Sequence, residues 1–141
     1  MTRMNPYLNF DGKAEEAFNF YKSVFGGEFL TVYRMSEMPG GEKLSDEEKN
    51  RIMHIALPIT DETKLMASDT MPSYGQKIVE GNNVQISLHP DSREEADRLF
   101  NGLSAGGKVD MPMADTFWGA YFGSFKDKFG IDWLINHESP K

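Results

Sequence analysis

Apolar positions recur at spacings of three and four in two stretches of the chain. Over residues 15–27 and the position just before them, Ala14, Ala17, Phe18, Tyr21, Val24 and Phe25 fall on one face of a helix. Over residues 94–107, Ala96, Leu99, Phe100 and Leu103 do the same. Ser92, with Glu95 three positions on, forms a capping box that fixes the second start. Each stretch ends on a glycine pair, Gly26-Gly27 and Gly106-Gly107, where a helix stops on a left-handed residue.

Extended segments surround these helices. Alternation predicts strands at about 5–10, 27–35, 51–59, 63–69, 83–89, 107–112, 116–125 and 130–137. Residues 36–50 begin as a Pro- and Gly-containing loop and end in an acidic stretch, where Ser45 and Glu48 suit the cap of a short helix. Residues 70–82 carry Pro72, Gly75 and Gly81 and read as a link. The order of strand, helix, glycine pair and further strands thus occurs twice. Glu15-Glu16-Ala17 returns as Glu94-Glu95-Ala96 at an offset of 79, and the glycine pairs stand 80 apart, so the second helix holds one inserted residue. The expected fold is α+β, a single domain over 1–141 built from two βαβββ modules, about 1–70 and 83–141. Neither module alone buries both its helix face and its sheet, so the two are expected to share one curved mixed sheet.

The opening strands of the two modules have a common pattern. Leu8 and Phe10 face the helix, while Asn5, Tyr7 and Asn9 face the other way. Val84, Ile86 and Leu88 alternate in the same manner with Asn83, Gln85, Ser87 and His89. A polar side of this kind is either solvated or the concave wall of a small-molecule pocket.

Composition narrows the partners. Fifteen Lys and Arg against 22 Asp and Glu give a net charge of −7, which leaves no electrostatic footprint for nucleic acid or an anionic membrane. The absence of cysteine excludes disulfides, thiolate metal sites and cysteine nucleophiles, and fits a cytoplasmic chain. The first residues lack the basic then apolar pattern of a secretory signal, so none is expected, and no apolar run approaches the ~18 residues that span a bilayer.

Several residues in order are familiar. They are Pro6-Tyr7-Leu8-Asn9-Phe10 with Gly12, Glu16-Ala17, Phe20-Tyr21 and Val24-Phe25-Gly26-Gly27, then His54 in an apolar strand, Leu65-Met66-Ala67-Ser68-Asp69 and Gly106-Gly107. Trp118-Gly119, Gly123, Phe125, Asp127, Phe129-Gly130 and Trp133 complete the set. In these the chain resembles the PhnB-like branch of the vicinal-oxygen-chelate superfamily, which holds glyoxalase I, bleomycin-resistance proteins and extradiol dioxygenases. Lys128 departs from the pattern, standing where the family usually has proline. The resemblance implies paired modules forming a cupped sheet (the glyoxalase/bleomycin-resistance fold), a homodimer, and cavities near the module interface. Catalytic members hold a divalent metal with His, Glu or Gln from the first and last strands of each module. Carried over, those positions fall at Asn5 or Tyr7, at Ala67 or Asp69, at Gln85 and at Leu134. Gln85 is a permissible ligand and Asp69 a conceivable one, whereas Leu134 has no donor atom. No metal and no other cofactor is therefore expected. Members of the branch carry names tied to phosphonate metabolism and ubiquinone methyl transfer, yet no glycine-rich nucleotide loop follows a parallel strand here.

His54 is the best placed of three histidines, flanked in its strand by Met53, Ile55 and Leu57 on the opposite face. It serves either as a core imidazole bonded to a neighbour or as a ligand-binding group or base. His89 and His137 are expected at the surface. Phe117, Trp118, Tyr121 and Phe122 form an aromatic cluster, in which Trp and Tyr favour a cavity rim or a subunit interface. The expected ligand contacts are Tyr7, Asn9, His54, Asp69, Gln85, Trp118 and Tyr121, around a small apolar or aromatic molecule. Two alternatives stay open: a metal-dependent lyase, isomerase or dioxygenase, and an interaction module with a filled cavity.

Overall fold

In a computed structural model, which describes residues 2–138, the chain divides into two units at Val79 and Glu80. The first holds β1 (Tyr7–Phe10), α1 (Ala14–Phe25), β2 (Thr31–Arg34), α2 (Asp46–Asn50), β3 (Ile52–Pro58) and β4 (Lys64–Asp69). The second holds β5 (Ile86–Leu88), α3 (Arg93–Ser104), β6 (Lys108–Asp115), β7 (Ala120–Lys126) and β8 (Asp132–Glu138). The strands form two mixed sheets of four, ordered β1-β4-β3-β2 and β5-β8-β7-β6. This replaces the one shared ladder that the pattern suggested. The reason lies in the pairing: the first strand of each unit runs parallel to the last strand of the same unit, and the rest pair antiparallel. Each module thereby completes a sheet of its own, and the two-module α+β, glyoxalase-like architecture holds.

The helices pack where their apolar faces direct them. Ala14, Ala17, Phe18 and Tyr21 of α1 are buried with Ile55, Leu57, Leu65 and Ala67 of β3 and β4. Ala96, Leu99, Phe100 and Leu103 of α3 are buried with Phe125, Trp133 and Ile135 of β7 and β8. Phe100 meets the Phe125 ring edge-on at 5.1 Å, a favoured aromatic geometry.

The two helix starts are satisfied differently. The Ser92 hydroxyl accepts from the Glu95 N–H at 3.0 Å, as the sequence indicates. Lys13, at the same place before α1, offers no side-chain cap. The first free N–H of α1, on Ala14, instead donates to the Asp69 carboxylate at 3.0 Å, and the other carboxylate oxygen accepts from the Ile52 N–H at 2.8 Å. One buried side chain at the end of β4 thus holds the start of the helix and the start of β3. In the second unit the buried Asp127 accepts from the Phe129 and Ile131 N–H groups and from the Trp133 indole at 2.8 Å. The Lys128 turn is therefore held by its neighbour's carboxylate without the family's proline.

Three local expectations change. β7 begins at Ala120 rather than near 116, because Thr116 closes a turn: its Oγ1 donates to the Ala120 carbonyl at 2.8 Å and accepts from the Ala120 N–H at 3.1 Å. His137 is buried rather than exposed, its Nδ1 2.9 Å from the Pro90 carbonyl oxygen. Gly106 has the left-handed backbone of a helix stop (φ 76°), but Gly107 does not. Gly107 is required by close approach instead, since a Cβ there would overlap the Lys126 carbonyl oxygen and lie 2.9 Å from the Asp127 Cα. The short acidic helix α2 forms as expected, with the Glu48 N–H donating to Ser45 Oγ at 3.2 Å.

Asp69→Ala leaves two buried N–H groups without an acceptor and is expected to cost about 2–4 kcal/mol, read as a lowered urea midpoint at unchanged slope. Gly107→Ala forces β7 away from the helix stop and is expected to cost roughly 1–3 kcal/mol in the same measurement. A midpoint equal to that of the unsubstituted protein in either case refutes the role given to that residue.

Candidate functional site

The side of the first sheet that α1 does not cover is set by register. Paired residues in a sheet point to the same side, and alternate residues to opposite sides. Leu8 pairs with Ala67 and Ile55 with Ala67, so these lie on the helix side. Tyr7 pairs with Met66, Asn9 with Ser68, and Tyr33 with His54, so these residues occupy the open side.

On that side Tyr7 reaches across β4 to His54. Its hydroxyl lies 3.2 Å from His54 Nδ1, and the two rings stack with centroids 5.7 Å apart and an interplanar angle of 27°. Tyr33, the cross-strand neighbour of His54 on β2, completes an aromatic run. Tyr7 and Tyr33 remain 45% and 48% exposed, while His54 is half-buried, so the edges of this surface are open to a ligand. Asn9 is also exposed, and its Oδ1 accepts from the Ser68 hydroxyl at 3.3 Å, which leaves its amide nitrogen as a donor. The structure thus brings Tyr7, His54 and Asn9 to one surface and adds Tyr33 and Ser68.

Asp69 stands elsewhere. It follows the alternation to the helix side, where both carboxylate oxygens are taken by backbone N–H groups. Beside it, Arg51 bridges Asp11 at 2.8 Å and Glu47 at 2.9 Å and donates to the Thr70 carbonyl. The hydrogen bond from Arg51, followed by its positive charge, holds the Asp11 carboxyl below the usual carboxylate range. This cluster fixes the turn between β1 and α1.

In the second unit, Gln85 is exposed just ahead of β5. Trp118 is 58% exposed and Phe117 98% exposed, both at the tip of the β6–β7 hairpin. The Trp118 indole meets Phe117 edge-on at 5.0 Å and Phe122 at 6.2 Å. Tyr121 points to the opposite side from Phe122, toward α3. Its hydroxyl donates to Asp97 Oδ1 at 2.6 Å, and the Arg93 guanidinium lies 3.8 Å over its ring. The hydrogen bond to Asp97, then burial, raises the Tyr121 pKa above the ordinary tyrosine value. Arg93 in turn pairs with Asp115 at 2.6 Å. Tyr121 therefore joins hairpin and helix rather than facing the open side of its sheet. His89, exposed, has its Nε2 2.8 Å from the Ser87 hydroxyl.

Of the positions that hold a metal in catalytic relatives, Gln85 alone keeps an exposed side chain of a permissible ligand type, and the others carry engaged or donor-free groups. The Asn5 side-chain oxygen accepts from the Lys64 N–H, Tyr7 is engaged with His54, Asp69 is engaged with backbone, and Leu134 has no donor. Among the described residues, no three His, Asp or Glu side chains form a group able to hold a metal ion. The residues present do not fit that ligand set.

Tyr33 escapes the sequence because β2 and β3 are separated by residues 35–51, so no tight turn fixes their register. The available signal was the alternation of Thr31 and Tyr33 with Val32 and Arg34, which does not say what lies opposite.

Comparisons with known proteins agree with this architecture. Residues 2–136 match the family model described as 3-demethylubiquinone-9 3-methyltransferase. The chain is 34% identical over 141 residues to Protein YjdN of Escherichia coli strain K12, covering 94% of this chain and 93% of that one. It is 38% identical to protein PA1353 of Pseudomonas aeruginosa, whose crystal structure superposes with a TM-score of 0.87 over 99% of this chain and 100% of that one. A putative 3-demethylubiquinone-9 3-methyltransferase, PhnB protein, from Bacillus cereus is 25% identical, with a TM-score of 0.77 over 96% and 99% of the two chains. A glyoxalase/bleomycin resistance protein from Albidiferax ferrireducens T118 shares the fold, at 15% identity and a TM-score of 0.66 over 96% and 97%. With its doubled βαβββ architecture and a family match over nearly its whole length, this chain belongs to the 3-demethylubiquinone-9 3-methyltransferase (PhnB-like) family, within the glyoxalase/bleomycin-resistance type of fold.

Proposed function

We propose that this PhnB-like protein binds a small apolar or aromatic molecule without a metal of the vicinal-oxygen-chelate type. The observation that carries the reading is the open side of the first sheet, where Tyr7, His54 and Tyr33 form an aromatic surface edged by the Asn9 amide. Small-molecule sites combine apolar and aromatic walls with a few placed polar groups, and this surface has that composition. On the second unit Trp118 and Gln85 are exposed and open to a ligand of their own, while Asp69 and Tyr121 support the scaffold of their units. The metal-dependent lyase, isomerase or dioxygenase reading is disfavoured because Gln85 is the one free permissible ligand among those positions, while Asn5 and Asp69 are bound to backbone, Tyr7 to His54, and Leu134 has no donor. Methyl transfer, named in the family's description, finds no glycine-rich nucleotide loop after a parallel strand in this sequence.

Assembly as a homodimer and a cytoplasmic location belong to the same proposal. The resemblance favours the first, as do the exposed Val109 and Met111 on the outer strand β6. The acidic, cysteine-free composition favours the second, and among the described residues no helix is long and apolar enough to cross a membrane.

N-phenyl-1-naphthylamine, a neutral aromatic dye that brightens on leaving water, is expected to bind saturably, and Tyr7→Ala to weaken it roughly 3- to 10-fold. Pretreatment with EDTA is expected to leave the affinity unchanged; loss of binding after chelation, or no saturable binding at all, counts against the proposal. Light scattering is expected to give twice the chain mass of 16.0 kDa, and a monomer at all concentrations refutes the dimer.

A further inference from the structure

The hydrogen bond between Tyr7 and His54 determines what chemistry this surface presents. A phenol O–H is a stronger donor than an imidazole N–H, and a bare imidazole nitrogen is a stronger acceptor than a phenol oxygen. The two atoms lie 3.2 Å apart, and this ranking assigns the donor role to the Tyr7 hydroxyl and the acceptor role to His54 Nδ1. The proton of a neutral imidazole is then placed on Nε2, because the bond made by one ring nitrogen sets the state of the other. His54 thus offers an N–H, not a lone pair. The Asn9 amide adds a second donor, since its oxygen already accepts from Ser68.

Charge narrows the ligand further. The side chains grouped here, Tyr7, Asn9, Tyr33, His54 and Ser68, carry no formal charge while the imidazole is neutral. On the same side of these strands, the one formally charged residue is Lys64, at the exposed start of β4. A ligand anion would thus find donors but no strand-borne cation next to His54 on this face.

We propose that the first module selects a neutral, planar aromatic molecule bearing a hydrogen-bond-accepting oxygen, such as an aryl ketone, with that oxygen on the His54 Nε2–H. The inference rests on the aromatic-binding reading above and adds the acceptor requirement. Tyr7 is then a positioning residue that fixes the tautomer, and the flanking rings receive the aromatic plane.

Two probes of similar shape separate the two levels of the argument: 2-acetylnaphthalene carries the acceptor and 2-ethylnaphthalene lacks it. The ketone is expected to bind about tenfold more tightly, the scale of one net hydrogen bond. In His54→Phe, which keeps a flat ring, the two probes should bind equally. Long-range nitrogen–proton spectra of histidine-labelled unsubstituted protein are expected to show His54 protonated on Nε2 and that nitrogen shifting when the ketone is added. Equal binding of the probes to the unsubstituted protein, or a proton on Nδ1, overturns the acceptor requirement and leaves aromatic binding standing. A tenfold preference that survives in folded His54→Phe assigns the donor elsewhere and overturns it too. Tighter binding of 2-naphthoate than of the ketone overturns the requirement for a neutral ligand. Failure of every probe to bind overturns both levels.

Discussion

In each half of the chain the first strand lies parallel to the last, and this constraint organises the rest. Parallel pairing brings the end of β4 beside the end of β1, one short turn before α1 begins. Asp69, opposite Phe10, therefore reaches the uncapped N–H of Ala14 and the first N–H of β3 together. The pairing also fixes parity. With Ala67 and Asp69 turned to the helix, Met66 and Ser68 must face the other way, and Tyr7 and Asn9 follow them through the register. A slip by one residue would send Tyr7 into the core and Leu8 into water. The fold's anchor and the polar surface opposite it are consequences of one registration.

The duplicated units solve the same problems with different chemistry. Ser92 caps its helix locally, whereas α1 depends on a carboxylate 55 positions away in sequence. The second unit uses its own buried carboxylate, Asp127, to brace the turn before β8 and to satisfy the Trp133 indole. His137 at the end of β8 bonds to the Pro90 carbonyl, so the last strand again grips the segment leading to its helix. The two units share a topology but not their polar ties, since what a fold requires is that buried groups be satisfied, whichever residue satisfies them.

How much of this was legible follows from the range of each interaction. Helix faces, glycine stops, the Ser92 cap and the strand alternation depend on neighbours within a few residues, and they appear in the sequence. The order of Tyr7, Gly26-Gly27, Ser68-Asp69 and the second glycine pair carried the family assignment. Asp69 as a helix cap was hidden because its partners lie 55 and 17 positions away. Tyr121 reads as one of an aromatic cluster, but alternation along β7 turns it to α3 and Phe122 to the other side, so adjacent aromatics have separate roles. His137 looked exposed from its place near the C-terminus, whereas burial follows position in the sheet.

The same logic bears on the proposed preference of the surface around His54 for recognition over holding an ion. A metal site needs several donors whose lone pairs are free and convergent. Here the lone pairs are engaged by neighbours: His54 Nδ1 by the Tyr7 hydroxyl, the Asn9 oxygen by Ser68, and both Asp69 oxygens by the backbone. What remains for a ligand includes the Asn9 amide N–H and aromatic planes. A flat apolar body stacks on such planes, and an acceptor oxygen bonds to such N–H groups. The register that makes the first unit stable leaves that residual chemistry on its open side.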